Sequence, residues 1–142
     1  MRWADVEKEV PELATRAKAF LDGHTHLTIA TVRKDGSPRI SGTEIQMRDG
    51  EIFIGSMNGA MKALDLQRDP RFALHSASED PDKGWAGDAK LAGSAEEVDH
   101  DEDYHLFRFD ITELVVVGLN EDRSKMVIES WHEGRGTNRV AR

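Results

Sequence analysis

The chain contains no cysteine in its 142 residues. That absence excludes disulfides, thiolate nucleophiles and any metal site built on thiolate ligands. No apolar run reaches the length of a membrane span, so a membrane partner is not expected. The segment Met1-Arg2-Trp3-Ala4-Asp5 lacks the pattern of a signal peptide, and a cytoplasmic location is the default expectation. Basic residues are in the minority, 19 Lys and Arg against 27 Asp and Glu, giving a formal net charge of −8. A nucleic-acid binder needs a basic face, so nucleic acid is not expected as a partner either. Low-complexity tracts and fixed-period repeats are absent, as are Gly-x-Ser-x-Gly, Walker and Rossmann patterns. What is there is ordinary for a globular domain: 38% hydrophobic and 32% charged residues, in a length that suits one domain with a real core.

The N-terminal stretch reads as helix. Val6, Val10, Leu13, Ala17 and Phe20 recur at spacings of four and three and make one apolar stripe. Pro11 divides it into two pieces, with the proline in the first turn of the second, and Gly23 ends it as a C-cap. Short strands follow. Residues 27–32 are rich in β-branched side chains, Asp35-Gly36 marks a hairpin turn, and residues 38–47 make the return strand. Gly42 inside that strand suggests a bulge or a close ligand approach. Asp49-Gly50 is a second turn and residues 51–55 a third strand. Residues 60–68 read as a helix closed by Asp69-Pro70, and residues 71–77 as a fourth strand. A polar loop over 79–87 carries Trp85, and residues 88–98 form a fifth strand. An acidic linker, 99–103, precedes strands at 106–110, 115–119 and 126–131. The tail from His132 is rich in Gly and Arg. Six or more short strands with two helical segments predict a mainly β chain with peripheral helices, an antiparallel barrel whose closure removes the sheet edges.

One segment carries more chemistry than the rest. Residues 52–70 read as strand, Gly-bearing turn and helix, with Lys62 in the first helical turn. A helix N-terminus leaves backbone N–H groups unpaired and adds partial positive charge, and Lys62 adds a full one. The combination suits a phosphate. By itself the segment fits an ordinary surface lysine better.

The order of these elements, with the words Ala30-Thr31-Val32-Arg33-Lys34-Asp35-Gly36-Ser37-Pro38, Gly59-Ala60-Met61-Lys62-Ala63, Arg68-Asp69-Pro70-Arg71, Gly93-Ser94-Ala95 and the late Trp131, resembles the pyridoxamine 5′-phosphate oxidase-like FMN-binding split-barrel family. The resemblance runs from Leu27 to Trp131. It implies a single split-barrel domain over 1–142, with an N-terminal helix (1–23) and a C-terminal tail (132–142). It implies a homodimer with cofactor at the subunit interface, and a flavin- or deazaflavin-dependent oxidoreductase acting on a small-molecule substrate. The cofactor implied is FMN, or in one branch the deazaflavin coenzyme F-420; the alternative is a non-catalytic binder of FMN, a flavin relative or haem. Classical members hold the phosphate with a Ser-Arg-Lys triplet, which here reads Ala60-Met61-Lys62. The loss of a hydroxyl and a bidentate guanidinium leaves Lys62, Ser56, Met57, Asn58 and backbone N–H groups as the cofactor-binding set. Ser41 stands where the oxidases use an arginine, and Arg39 is the candidate to compensate. The tail Trp131-His132-Glu133-Gly134-Arg135-Gly136 does not reproduce the Arg-x-His element that holds the oxidase substrate, so pyridoxamine phosphate oxidation is not predicted.

Trp85 admits two readings, pocket lining or packing on the barrel. Trp131 and Arg135 are candidates to reach across the interface to a bound ring or phosphate, with packing in the dimer core the stronger reading for Trp131. His24 and His26 have no further ligands in sequence and read as solvated turn residues, and no metal site is expected. No catalytic residue is assigned.

Overall fold

The computed structural model describes all residues, Met1–Arg142. Two helices open the chain, α1 (Trp3–Glu9) and α2 (Pro11–Asp22). Pro11 occupies the first turn of α2, and Val10 between them takes an extended φ of −134°. The kink moves the buried stripe. Trp3, Val6, Leu13, Ala14, Ala17 and Leu21 face the core, whereas Val10 and Phe20 are half-buried. Gly23 caps α2, but with right-handed backbone (φ −67°) rather than the left-handed form.

Nine strands follow: β1 (Leu27–Val32), β2 (Pro38–Thr43), β3 (Ile45–Arg48), β4 (Glu51–Met57), β5 (Arg71–His75), β6 (Asp88–His100), β7 (Tyr104–Leu119), β8 (Met126–His132) and β9 (Gly136–Ala141). Helix α3 (Met61–Arg68) lies between β4 and β5, and a single 3-10 turn (Pro81–Lys83) between β5 and β6. All pairs are antiparallel, in the order β2-β1-β5-β6-β7-β4-β3, with β8 on β7 and β9 on β8. No helix is long and apolar enough to cross a membrane.

Four expectations are corrected. The return strand at 38–47 is two strands: β2 pairs β1, β3 pairs β4, and Glu44 between them turns the corner. The strands expected at 106–110 and 115–119 are one 16-residue strand, β7. The inward side changes parity inside it, from Phe107, Phe109 and Ile111 to Leu114 and Val116, because Thr112 is an extra residue against Ala92 and Gly93 of β6. A Cβ on Gly93 would meet the Asp110 carbonyl oxygen at 1.9 Å, so this closure requires glycine. The Gly- and Arg-rich tail contains a strand, β9, which covers the edge that β8 would otherwise expose. The acidic stretch 99–103 is also no linker, since β6 continues through His100 and a short turn leads into β7.

The core fills the barrel and the space under α1 and α2. Phe72 and Phe109 stack at 3.9 Å between ring centroids, and Trp131 is wholly buried among them. Asp49-Gly50, both with positive φ, forms the tight β3–β4 turn against α1, where Ala4 N–H donates to the Gly50 carbonyl.

Candidate functional site

Strands β2 and β3 lie at opposite ends of the sheet order, yet Glu44 alone separates them in sequence. The barrel therefore closes through a corner and not through a ladder. β2 and β4 come together there without pairing. The gap between them is a groove of about 310 Å³. Gly42, Thr43 and Glu44 form one wall and Gly55, Ser56 and Met57 the other, with Ala60 and Lys62 from the start of α3 and His26 at the rim.

The groove is rich in hydrogen-bond donors. Lys62 Nζ donates to the Gly42 carbonyl at 2.8 Å, which fills one of its three N–H positions. Burial lowers the Lys62 pKa, and the Glu44 carboxylate works in the opposite direction. The N–H groups of Met61 and Lys62, at the first turn of α3, have no acceptor. Ser56, 8% exposed, has a hydroxyl with no hydrogen-bond partner. His26 Nδ1 lies 3.5 Å from Glu44 Oε1 at the rim. Gly42 sits in regular register opposite Thr28, so it makes no bulge, and the space where its Cβ would stand is open.

Two polar networks hold these walls. Asp65 of α3, 1% exposed, accepts from Arg39 Nε (2.7 Å), Thr31 Oγ1 (2.8 Å) and Arg68 Nη2 (2.9 Å). Burial pushes its carboxyl upward, but the hydrogen bonds from Arg39, Thr31 and Arg68 together outweigh it and hold the pKa below the ordinary value. These bonds fix α3 against β1 and β2. The turn between β4 and α3 is pinned from the other side: Gly59 N–H donates to His105 Nε2 at 3.0 Å, Asn58 N–H donates to the Asp103 carbonyl, and His105 Nδ1 lies 2.9 Å from Glu97 Oε2.

The residues singled out in the sequence separate into groups. Lys62, Ser56 and Met57 meet in the groove, and Asn58 lies at the adjoining turn with its side chain 3.1 Å from His100 Nε2. Arg39 is engaged by Asp65, and Ser41 lies two residues on along the same face of β2. Trp85 lines a separate cleft with Phe20 and His24 near the end of α2. Trp131 is 0% exposed. Arg135, in the turn before β9, donates to His132 Nδ1 at 3.1 Å.

Sequence reasoning missed Glu44, Asp65 and His105. The inward alternation His105, Phe107, Phe109, Ile111 was the available signal for His105, a polar residue in phase with the core. Asp65 carried a similar signal beside the buried Ala63 and Leu66. All six histidines lie near carboxylates, and none bonds a Ser or Thr hydroxyl, so no Ser–His nucleophile pair is assembled. The arrangement can hold an anion.

The profile of the pyridoxamine 5′-phosphate oxidase family matches residues 13–127. No curated protein matches the chain. Among solved structures, PhzG from Burkholderia lata, solved with tetrahydrophenazine-1-carboxylic acid, superposes with a TM-score of 0.69 at 10% identity, over 99% of this chain and 92% of that one. A pyridoxamine 5′-phosphate oxidase-related, FMN binding protein from Nostoc punctiforme gives 0.65 at 11% identity, over 100% and 99%. A heme binding protein from Mycobacterium smegmatis gives 0.63 at 18% identity, over 91% and 57%. At such identities these likenesses speak to fold. With its mainly antiparallel sheet, split at the β2–β4 gap, and a family match over most of its length, the chain belongs to the pyridoxamine 5′-phosphate oxidase family and has its split-barrel fold.

Proposed function

We propose that this chain binds a flavin-type cofactor, FMN or the deazaflavin coenzyme F-420, with its phosphate at the start of α3, and serves as an oxidoreductase for a small organic molecule. The observation that carries this reading is the set of spare donors in one groove: the Lys62 ammonium, the Met61 and Lys62 N–H groups, and the Ser56 hydroxyl. Donors so placed at a helix N-terminus favour an anion. Such a cofactor would supply hydride chemistry itself. Lys62 and the backbone N–H groups at the start of α3 would hold the phosphate, with Ser56 and Met57 on the adjoining wall and Asn58 at the turn. Arg39 acts through Asp65 by fixing α3. One cation, with Glu44 beside it, gives a weaker grip than the Ser-Arg-Lys triplet of classical members.

A homodimer fits the outer face of the sheet. Ile40, Ala30, Ala73 and Ala92 are register neighbours on β2, β1, β5 and β6, and Ile40 is 74% exposed. An exposed apolar row of this kind supports an interface there. Light scattering is expected to give a dimer, and Ile40→Glu to weaken it; a stable wild-type monomer at micromolar concentration would overturn the shared-site reading.

Haem is the second reading, favoured by His26 at the rim and Met57 on the wall of the same groove, an imidazole and a thioether of the kinds that ligate haem iron. The absorbance spectrum and mass of whatever co-purifies separate the two. A flavin or deazaflavin spectrum supports the first reading and a Soret band the second. No binding of FMN, deazaflavin or haem at concentrations on the order of tens of micromolar contradicts both.

A further inference from the structure

The geometry points to His105 as a proton-sensitive latch that holds the β4–α3 turn in its anion-binding form, an inference that rests on the site reading above. His105 is 1% exposed and is the register neighbour of Ser56, on the inward side of the sheet directly beneath the groove wall. A backbone N–H can only donate, so Nε2, which faces Gly59 N–H at 3.0 Å, must carry a lone pair. The proton of the neutral ring is then on Nδ1, where Glu97 Oε2 accepts it at 2.9 Å. The backbone and the carboxylate together fix one tautomer.

Glu97, His100 and His105 bring ligand atoms within 4.8 Å of one another, which invites a metal reading. The tautomer argues against it. A metal on His105 Nδ1 would leave either an imidazolate or an Nε2–H pointed at Gly59 N–H. The two imidazoles also stack, with centroids 4.0 Å apart and planes 15° from parallel. Their in-plane lone pairs run side by side and do not converge on one ion. The three groups make a support for the turn instead. His100 Nε2 meets the Asn58 side-chain oxygen at 3.1 Å, and Gln67 of α3 donates to both oxygens of Glu97.

A second proton on His105 goes to Nε2 and converts the acceptor into a donor. Two donors then face each other, the Gly59 bond is lost, and the turn that presents the Met61 and Lys62 N–H groups is released. The opposite side of the ring is not lost, because Glu97 holds Nδ1–H in both states, so the protonated form has a stable partner. The titratable groups facing His105 are Glu97 and His100, both from β6. Ser56 of β4, Phe107 of β7 and Gly59 of the turn also adjoin it and carry no charge.

Three readouts test the latch. Side-chain nitrogen NMR of the wild-type protein at neutral pH is expected to show His105 as the Nδ1–H tautomer, with the Gly59 amide protected from exchange and losing protection on acidification. In FMN titrations, His105→Leu is expected to weaken affinity roughly tenfold, the loss of one hydrogen-bonded anchor. His105→Gln, which offers a carbonyl oxygen near the Nε2 position, should recover most of it. The FMN phosphate takes its own second proton near pH ~6, but this acts on wild type and H105Q alike. The extra weakening of wild type at acid pH, absent from H105Q, is the signature of the latch. An Nε2–H tautomer, an unprotected Gly59 amide, or identical pH profiles for wild type and H105Q would overturn it. If FMN fails to bind the wild type, the cofactor reading falls while the NMR and exchange results still decide the latch.

Discussion

Two of the molecule's grooves make an instructive pair, and the larger is the less promising. A cavity of about 600 Å³ lies between α2 and the ends of β7, β8 and β9. Its central cation, Arg16, already meets Glu129 at 2.9 Å, and Arg139 stands opposite the same glutamate in the β8–β9 register. The split-barrel groove has about half that volume, 310 Å³, but holds free helix N–H groups, an unpartnered serine hydroxyl and Lys62. Volume measures room; unspent donors measure what a ligand would gain by entering. An anion entering the large groove competes with Glu129 for Arg16, whereas the small one offers N–H groups that have no acceptor.

The sharpest way to break the contrast is to remove what holds the walls of the small groove. Asp65→Asn leaves Arg39 and Arg68 without their shared carboxylate, and disruption of a buried pair of this kind costs about 3–5 kcal/mol. Urea unfolding at pH 7 is expected to show that loss. The pH dependence has a fixed sign. The folded-state pKa of Asp65 is depressed, so its contribution is complete above the unfolded value of about 3.9 and is lost as pH falls through the lower folded value. The gap between wild type and D65N is therefore expected to narrow in acid; a constant gap down to pH ~2 would mean that the charge of Asp65 is not what stabilises α3.

A smaller effect is expected at Lys62. Lys62→Ala removes one charge-assisted contact, about 1.5–3 kcal/mol, so FMN affinity should fall roughly ten- to hundredfold with folding intact. The smallest effect is expected in the large groove. Arg16→Ala breaks an exposed ion pair worth about 0.2–1 kcal/mol and should leave FMN affinity unchanged. A loss at Arg16 as large as that at Lys62, seen in parallel fluorescence titrations, would reverse the assignment of the two grooves.

How much of this was legible in the sequence follows from the range of the interactions. The strand at 27–32, the two Asp-Gly turns and Pro11 at the start of α2 are local effects of β-branching and fixed φ, and the structure repeats them residue for residue. The corner at Glu44 is not local. It exists because β2 must leave β1 and β3 must join β4, partners far apart in the sheet order. The continuity of β7 was hidden by Thr112-Glu113, which reads as a polar break but is a bulge opposite Gly93. Of the site, Lys62, Ser56 and Met57 came from one contiguous segment and meet in the groove. Glu44 arrives with the corner, and Asp65 and His105 act through partners on other strands, Arg39, Thr31 and Glu97, that no spacing rule connects to them.

The measurement that bears most directly on the central claim is a paired titration of wild type and Lys62→Ala with FMN and with riboflavin, which has the same ring and no phosphate. Loss of the Lys62 ammonium is expected to lower FMN affinity sharply in the variant, with riboflavin affinity nearly unchanged and the FMN difference shrinking at high salt. Equal losses for both ligands, or no FMN binding by wild type, would contradict a phosphate site at the split of the barrel.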